Sequence, residues 1–225
     1  MSQELWTDVE RYVDGLLIPS DPVLEAAINA CEAAELPPIA VTPGQGKLLY
    51  LLARVQRAKR ILEIGTLGGY STIWLARALP ADGSVVTLEL EKKHADVAMA
   101  NIAQADLSPL VDLRVGRALE TLPELAAEGL EPFDMVFIDA DKENTEAYFR
   151  WAMRLSREGA IIVVDNVIRE GEVADPDTGD ERVQGIRRFN EMLAAETRVE
   201  ATTIQTVGSK GYDGFTLAVV TGQEQ

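Results

Sequence analysis

This chain is poor in the residues that commonly build cross-links, membrane spans and nucleic-acid grips. Of 225 residues, one is cysteine and one is histidine. Cys31 has no partner for an intrachain disulfide, so nothing in the framework demands an oxidising compartment, and it reads as a helix-packing residue. No apolar run approaches the roughly 20 residues that span a bilayer, which predicts no membrane segment. Basic residues are scarce: 21 Lys and Arg stand against 37 Asp and Glu, a net charge of −16. With no basic block to override that total, the chain would repel a phosphate backbone, and a nucleic-acid partner is not expected. The opening stretch MSQELWTDVERYVDGLL is acidic and lacks the basic start, apolar stretch and small-residue cleavage site of a signal peptide, so a soluble cytoplasmic protein is expected. Two nucleotide signatures are missing as well, G-x-G-x-x-G and G-K-[ST].

What is present is ordinary for a globular protein: 47% hydrophobic and 26% charged residues, enough for a core. The length suits one α/β domain, residues 1–225, and is too short for two of usual size. Up to about Gln56 the pattern is helical, with Leu5, Val9, Tyr12, Val13 and Leu16 at helical spacing, Asp21 as a cap before Pro22, and Pro43 as a helix-starting proline. This segment, 1–56, is expected to be an appended helical cap. From residue 57 strands alternate with helices: RILEI, SVVTLEL, VDLRV, FDMVFID and GAIIVVD are apolar, β-branched-rich runs with helical patterns between them. That alternation predicts a doubly wound, mostly parallel sheet with right-handed crossovers. The last two strands, 199–206 and 214–220, flank VGSKGYDG with no helix between them and predict an antiparallel hairpin. The sheet is therefore expected to have seven strands, in an α/β, Rossmann-like arrangement. Residues 168–185, rich in Asp, Gly and charge, read as a mobile surface loop bordering an acceptor site.

Two strand ends carry the chemistry. FIDADK (137–142) and IIVVDN (161–166) each stop abruptly at a carboxylate, as a buried parallel strand does when it delivers a side chain to its C-terminal edge. Asp139, Asp165 and Asn166 are hard oxygen donors, a set suited to Mg²⁺, with Ca²⁺ or Mn²⁺ as alternatives, better than to zinc or copper. Lys142 stands three residues past the first of them. The bland readings are a helix cap at Asp141 and a turn at Asp165 and Asn166. At the other end, EIGTLGGYS (63–71) places Gly65, Gly68 and Gly69 between a strand and a helix, where the backbone turns tightly and approaches a ligand. Glu89 ends the next strand, the position from which an acid accepts hydrogen bonds from a ribose diol. Adenosine without phosphates fits both. Glu63 lies inside the first strand, where a buried carboxylate needs an amine-bearing ligand or backbone amides to relieve it. His94, in the polar stretch EKKHAD, reads as a solvated helix residue.

Taken in order, TPGQGKLLYLL, AKRILEIGTLGGYSTIWLA, VVTLELE, VGRALETLPEL, FDMVFIDADKEN and GAIIVVDNV resemble the class I S-adenosylmethionine-dependent methyltransferases. Within them, DADK and VVDN resemble the metal-dependent O-methyltransferases related to catechol and caffeoyl-coenzyme A O-methyltransferases. The resemblance covers about residues 41–167. It implies cofactor contacts from Val41, Glu63, Gly65, Thr66, Ser71, Glu89, Ala118 and Asp141, a divalent cation on Asp139, Asp165 and Asn166, and Lys142 and Asp139 as the catalytic pair beside the reacting hydroxyl. Arg117 departs from the small or acidic residue that relatives often carry there. The activity implied is methyl transfer to one hydroxyl of a small aromatic vicinal diol, with a coenzyme A thioester as the alternative acceptor. The family further implies a homodimer, for which the apolar stripe of the first helix is the candidate interface. A catalytically silent adenosylmethionine-binding protein and a nicotinamide-dependent oxidoreductase are the rivals. The intact Asp139, Lys142, Asp165, Asn166 set opposes the first, and the missing dinucleotide fingerprint opposes the second.

Overall fold

The structure is a computed structural model that describes residues 2–222; residue 1 and residues 223–225, the ends of the expected domain, lie outside the described residues. Three helices come first: α1 (Gln3–Leu17), α2 (Pro22–Ala33) and α3 (Pro43–Gln56). Each starts where a side chain satisfies amides that have no helical acceptor. The Ser2 hydroxyl accepts from the Leu5 amide, Asp21 accepts from the Val23 and Leu24 amides, and Thr42 and Gln45 form a reciprocal capping box.

The chain then alternates through β1 (Arg60–Ile64), α4 (Tyr70–Ala78), β2 (Ser84–Glu89), α5 (Lys92–Gln104), β3 (Val111–Val115), α6 (Ala118–Ala127), β4 (Phe133–Ile138), α7 (Thr145–Leu155), β5 (Ser156–Asp165), α8 (Glu181–Ala195), β6 (Val199–Gly208) and β7 (Gly211–Val220). One seven-stranded sheet results, in the order β3-β2-β1-β4-β5-β7-β6. Strands β1 to β5 pair in parallel, and β7 runs antiparallel to both β5 and β6. This is the expected doubly wound sheet with its terminal hairpin.

Residue alternation along the strands divides the core between the two faces. Leu62, Ile64, Val86, Leu88, Val136 and Ile138 meet Leu122 and Leu125 of α6, Phe149 of α7 and Phe189 of α8. Ile61, Val85, Met135 and Phe137 point the other way, onto Leu49 of α3, Ile73 of α4 and Ala98 of α5. Winding reverses between β1 and β4, so the carboxyl ends of those two strands flank a crevice that no crossover covers.

Two segments differ from expectation. Only Ser209 and Lys210 connect β6 to β7, because Gly208 pairs with Gly211 and Gly211 takes a φ of +95° that glycine adopts without strain. The polar VGSKGYDG stretch is thus mostly strand. The expected loop at 168–185 is irregular as far as Asp180, with a short 3₁₀ stretch at Arg169–Ala174 broken by positive φ at Glu170 and Gly171, but its last residues, from Glu181, are already the first turn of α8. There Asp180 caps the helix by accepting from the Arg182 amide, and Val183, Ile186 and Phe189 recur at helical spacing and are buried.

Candidate active site

The turn after β1 shapes one end of the crevice. Gly65 has a φ of +101°, and a Cβ there would lie 2.0 Å from the carbonyl oxygen of Asp139. Only glycine lets the β1 exit pass this close to the end of β4. Gly69 then turns at a φ of +83° and opens α4, so the amides of its first turn face the crevice edge.

Two acids are fixed behind this turn. Glu63 is wholly buried in β1 and accepts from three hydroxyls: Ser71 to Oε1 at 2.6 Å, and Thr72 and Thr87 to Oε2 at 2.5 and 2.6 Å. Within the chain the relief for this carboxylate is therefore hydroxyl-based, where a cationic or amine-bearing ligand or backbone amides are expected from sequence. Thr87 is its in-register neighbour on β2, while Ser71 and Thr72 come from the first turn of α4. Burial still dominates, with the charge of Asp139 adding to it, and lifts the Glu63 pKa to about 7. Glu89, at the end of β2, accepts the amides of Thr66 (3.2 Å) and Leu67 (2.7 Å) on Oε2 and of Glu91 (2.9 Å) on Oε1. The glycine turn is thereby tied to the acid. His94 is not the solvated residue expected: its Nδ1 lies 3.4 Å from Glu89 Oε1 and it lines the cavity described below.

At the other end, Asp139 follows β4 directly and its amide donates to Ile64 O (2.9 Å), fastening the two strand ends together. Lys142 is buried, only 8% exposed. Its Nζ donates to Asp139 Oδ1 at 2.8 Å and to the Asp165 carbonyl at 3.2 Å, so one ammonium bridges the ends of β4 and β5. Asp165 is 5% exposed, and its Oδ1 accepts the Asn166 amide at 2.8 Å. Burial and then the charge of Asp139 raise the Asp165 carboxyl above its ordinary value, against the pull of Lys142. Asn166 turns at a φ of +59° and lines the cavity. Among the described residues no three His, Cys, Asp or Glu cluster to hold a metal. Two carboxylates and the Asn166 amide oxygen make up the set here, a hard all-oxygen set.

Asp141 does not cap the following helix; its Oδ1 accepts from Tyr148 Oη at 2.5 Å and its Oδ2 from the Asn144 amide group. Burial and the Asp141 charge raise the Tyr148 pKa, so that hydroxyl stays a donor. Neither Tyr148 nor Asn144 was singled out from sequence. Their positions three and seven residues beyond Asp141, on the helical turns that follow β4, are the signal for them.

A cavity of about 860 Å³ runs along the sheet edge and joins the two ends. Val41, Gly65, Thr66, Ser71, Glu89, Ala118, Asp139, Asp141, Lys142 and Asn166 all line it, as does Arg117. Glu63 and Asp165 lie behind that wall.

Residues 19–220 match the O-methyltransferase family. The chain belongs to that family. Relatives along nearly its whole length carry the same designation: a catechol O-methyltransferase of Niastella koreensis is 53% identical over 98% of this chain and 100% of its own, and one of Mycobacterium tuberculosis is 54% identical over 95% of each. Among solved structures, the O-methyltransferase TomG of Streptomyces achromogenes, involved in tomaymycin synthesis and in complex with SAM, is 56% identical with a TM-score of 0.96, covering 99% of this chain and 100% of its own. The Bacillus cereus O-methyltransferase in complex with SAH is 58% identical at the same TM-score, covering 97% and 100%. This member of the family is thus an S-adenosylmethionine-dependent O-methyltransferase with a Rossmann-like fold.

Proposed function

We propose that this methyltransferase acts on one hydroxyl of a small aromatic vicinal diol, at an acceptor end formed by Asp139, Lys142, Asp165 and Asn166 with a divalent cation, Mg²⁺ foremost. The observation that carries the reading is the Lys142 ammonium bridging Asp139 and Asp165 at the edge where β4 and β5 end. Asp139, Asp165 and Asn166 fit a dication by their chemistry: two carboxylates brought together in a buried place repel one another, and their oxygens are hard donors. The catechol O-methyltransferase relatives point to the same acceptor class.

Bound adenosylmethionine supplies the methyl group, held on our reading by Val41, Gly65, Thr66, Ser71, Glu89, Ala118 and Asp141, with Glu63 buried behind them. A bound dication supplies Lewis acidity to a diol whose ordinary pKa, near 10, would make ionisation at pH 7 cost about 4 kcal/mol. The chain's own groups do the rest. Glu89, fixed by three amides, orients the ribose, and Tyr148 and Asn144 hold Asp141 toward the cofactor. Lys142, anchored on Asp139, is placed beside the acceptor end, where as an ammonium it stabilises the phenolate and only as the neutral amine could it take the phenolic proton. We read residues 1–225 as one cytoplasmic domain, with residues 1–56 as a helical cap, working as a homodimer.

The test is methyl transfer from adenosylmethionine to catechol, followed by mass of the product, with Mg²⁺ and with excess chelator. Turnover should vanish with chelator and return with Mg²⁺; Lys142→Met should lower kcat by roughly 10²-fold or more with Mg²⁺ present. Undiminished turnover in chelator would end the cation reading.

A further inference from the structure

The segment after Asn166 is held in an uncommon shape. Arg169 and Glu170 take φ of 53° and 57°, so three non-glycine residues within five lie in the left-handed region. Asp213 of β7 enforces this: its Oδ1 accepts the amides of Ile168 and Arg169, both at 3.0 Å, and of Gly214 at 2.9 Å. The Val167 amide also donates to Gly214 O at 3.0 Å. The point at which the Arg169 side chain leaves the backbone is therefore built, not incidental.

That side chain lines the cavity, yet it is short of acceptors. Its Nε is buried with no hydrogen-bond partner, and its Nη1 lies 3.9 Å from Asp213 Oδ2, beyond hydrogen-bond reach. Arg182, which also lines the cavity, is by contrast gripped by both oxygens of Asp180. With Nε shut off by burial, the guanidinium leaves its two terminal amino groups for the cavity, and such a pair of parallel N–H donors is the favoured grip on a planar anion. Arg169 lies three residues beyond Asn166, on the segment that leads directly away from the acceptor-end residues Asp165 and Asn166. In a chain with a net charge of −16, a cation placed there is a selective feature.

We propose that Arg169 determines acceptor specificity by taking the carboxylate of a dihydroxyaromatic acid whose vicinal hydroxyls lie at Asp139, Asp165 and Asn166. This rests on the O-methyl transfer to a diol proposed above. Such an anchor holds substrate and transition state alike, so its loss appears mainly in KM.

Steady-state kinetics on catechol and on 3,4-dihydroxybenzoate separate the possibilities. The wild type should favour the acid at least tenfold in kcat/KM, and Arg169→Met should lose at least tenfold more on the acid than on catechol, mostly through KM. Arg169→Lys, which keeps the charge without the fork, should fall between them and also guards against a folding defect in the first variant. Equal losses on the two acceptors, or a wild type without preference for the acid, would overturn the proposal. If neither diol is methylated, the reading of the reaction fails instead. Calorimetric titration of SAH-loaded wild type and Arg169→Met with 3,4-dihydroxybenzoate then decides the anion site: at least tenfold weaker binding by the variant supports it, and equal binding overturns it.

Discussion

At the scale of single residues, Glu63 is a group whose environment opposes its chemistry. Its carboxyl is wholly buried, and three hydroxyl donors do not offset the loss of water, so its pKa stands at about 7 against an ordinary 4.5. The sign follows from that direction. A carboxyl raised in the folded state binds its proton more tightly folded than unfolded, so its contribution is complete below pH 4.5 and is lost as pH rises through 7. At about 1.4 kcal/mol per unit, the span amounts to at most about 3 kcal/mol. Urea unfolding of the wild type and Glu63→Gln at pH 5 and pH 8 should show the wild type losing ground to the variant at the higher pH. A stability difference that does not change with pH would refute this account of Glu63.

At the scale of elements, the exit of β1 is the narrowest place in the fold. Gly65→Ala would add a Cβ 2.0 Å from the Asp139 carbonyl at a φ of +101°, and neither the β1 turn nor the end of β4 is free to give way, since the Asp139 amide is bonded to Ile64 O. Backbone clash and positive-φ strain together should cost about 3 kcal/mol or more. Because the same shift pulls the glycine turn from Glu89, SAH affinity measured by calorimetry should fall at least tenfold in whatever fraction folds. Retained affinity and stability would show that the turn tolerates a side chain. The glycines here were readable from sequence because a strand followed by a glycine cluster has a single steric meaning. So were Asp139, Asp165 and Asn166, since an apolar run that stops at a carboxylate marks a strand end. The hydroxyls around Glu63 were not, because Thr87 meets it only through the β1–β2 register. Nor was the true β6–β7 turn, whose Gly, Ser and Asp composition reads as loop while the pairing of Gly208 with Gly211 is tertiary. Arg169 was hidden for a related reason: Asp213, which holds its backbone, is 44 residues away in the chain.

At the scale of the whole molecule, the fold leaves one apolar surface without an internal use. Helix α1 buries none of its residues fully, and Leu5, Val9, Tyr12 and Leu16, spaced as one helical stripe, are all exposed. Two polar contacts help fasten α1 to its own chain: Gln3 donates to Gly208 O at 2.8 Å, and Glu10 accepts the Ser209 amide at 2.6 Å. Leu51 and Val55 of α3 and Ile204 and Val207 of β6 are exposed too, on two elements that α1 packs against. Exposed apolar residues gathered on neighbouring elements in this way are uncommon on a monomer. A second copy of the chain is the occupant we propose, since an isologous contact pairs the stripe with itself and closes after two subunits. Sedimentation should therefore give a mass near twice 24.5 kDa. Tyr12→Asp combined with Leu16→Asp sets like charges on both sides of the contact and should give a folded species near 24.5 kDa. A wild type that sediments as a monomer at micromolar concentration would remove the dimer, while leaving the active-site reading, built wholly from one chain, where it stands.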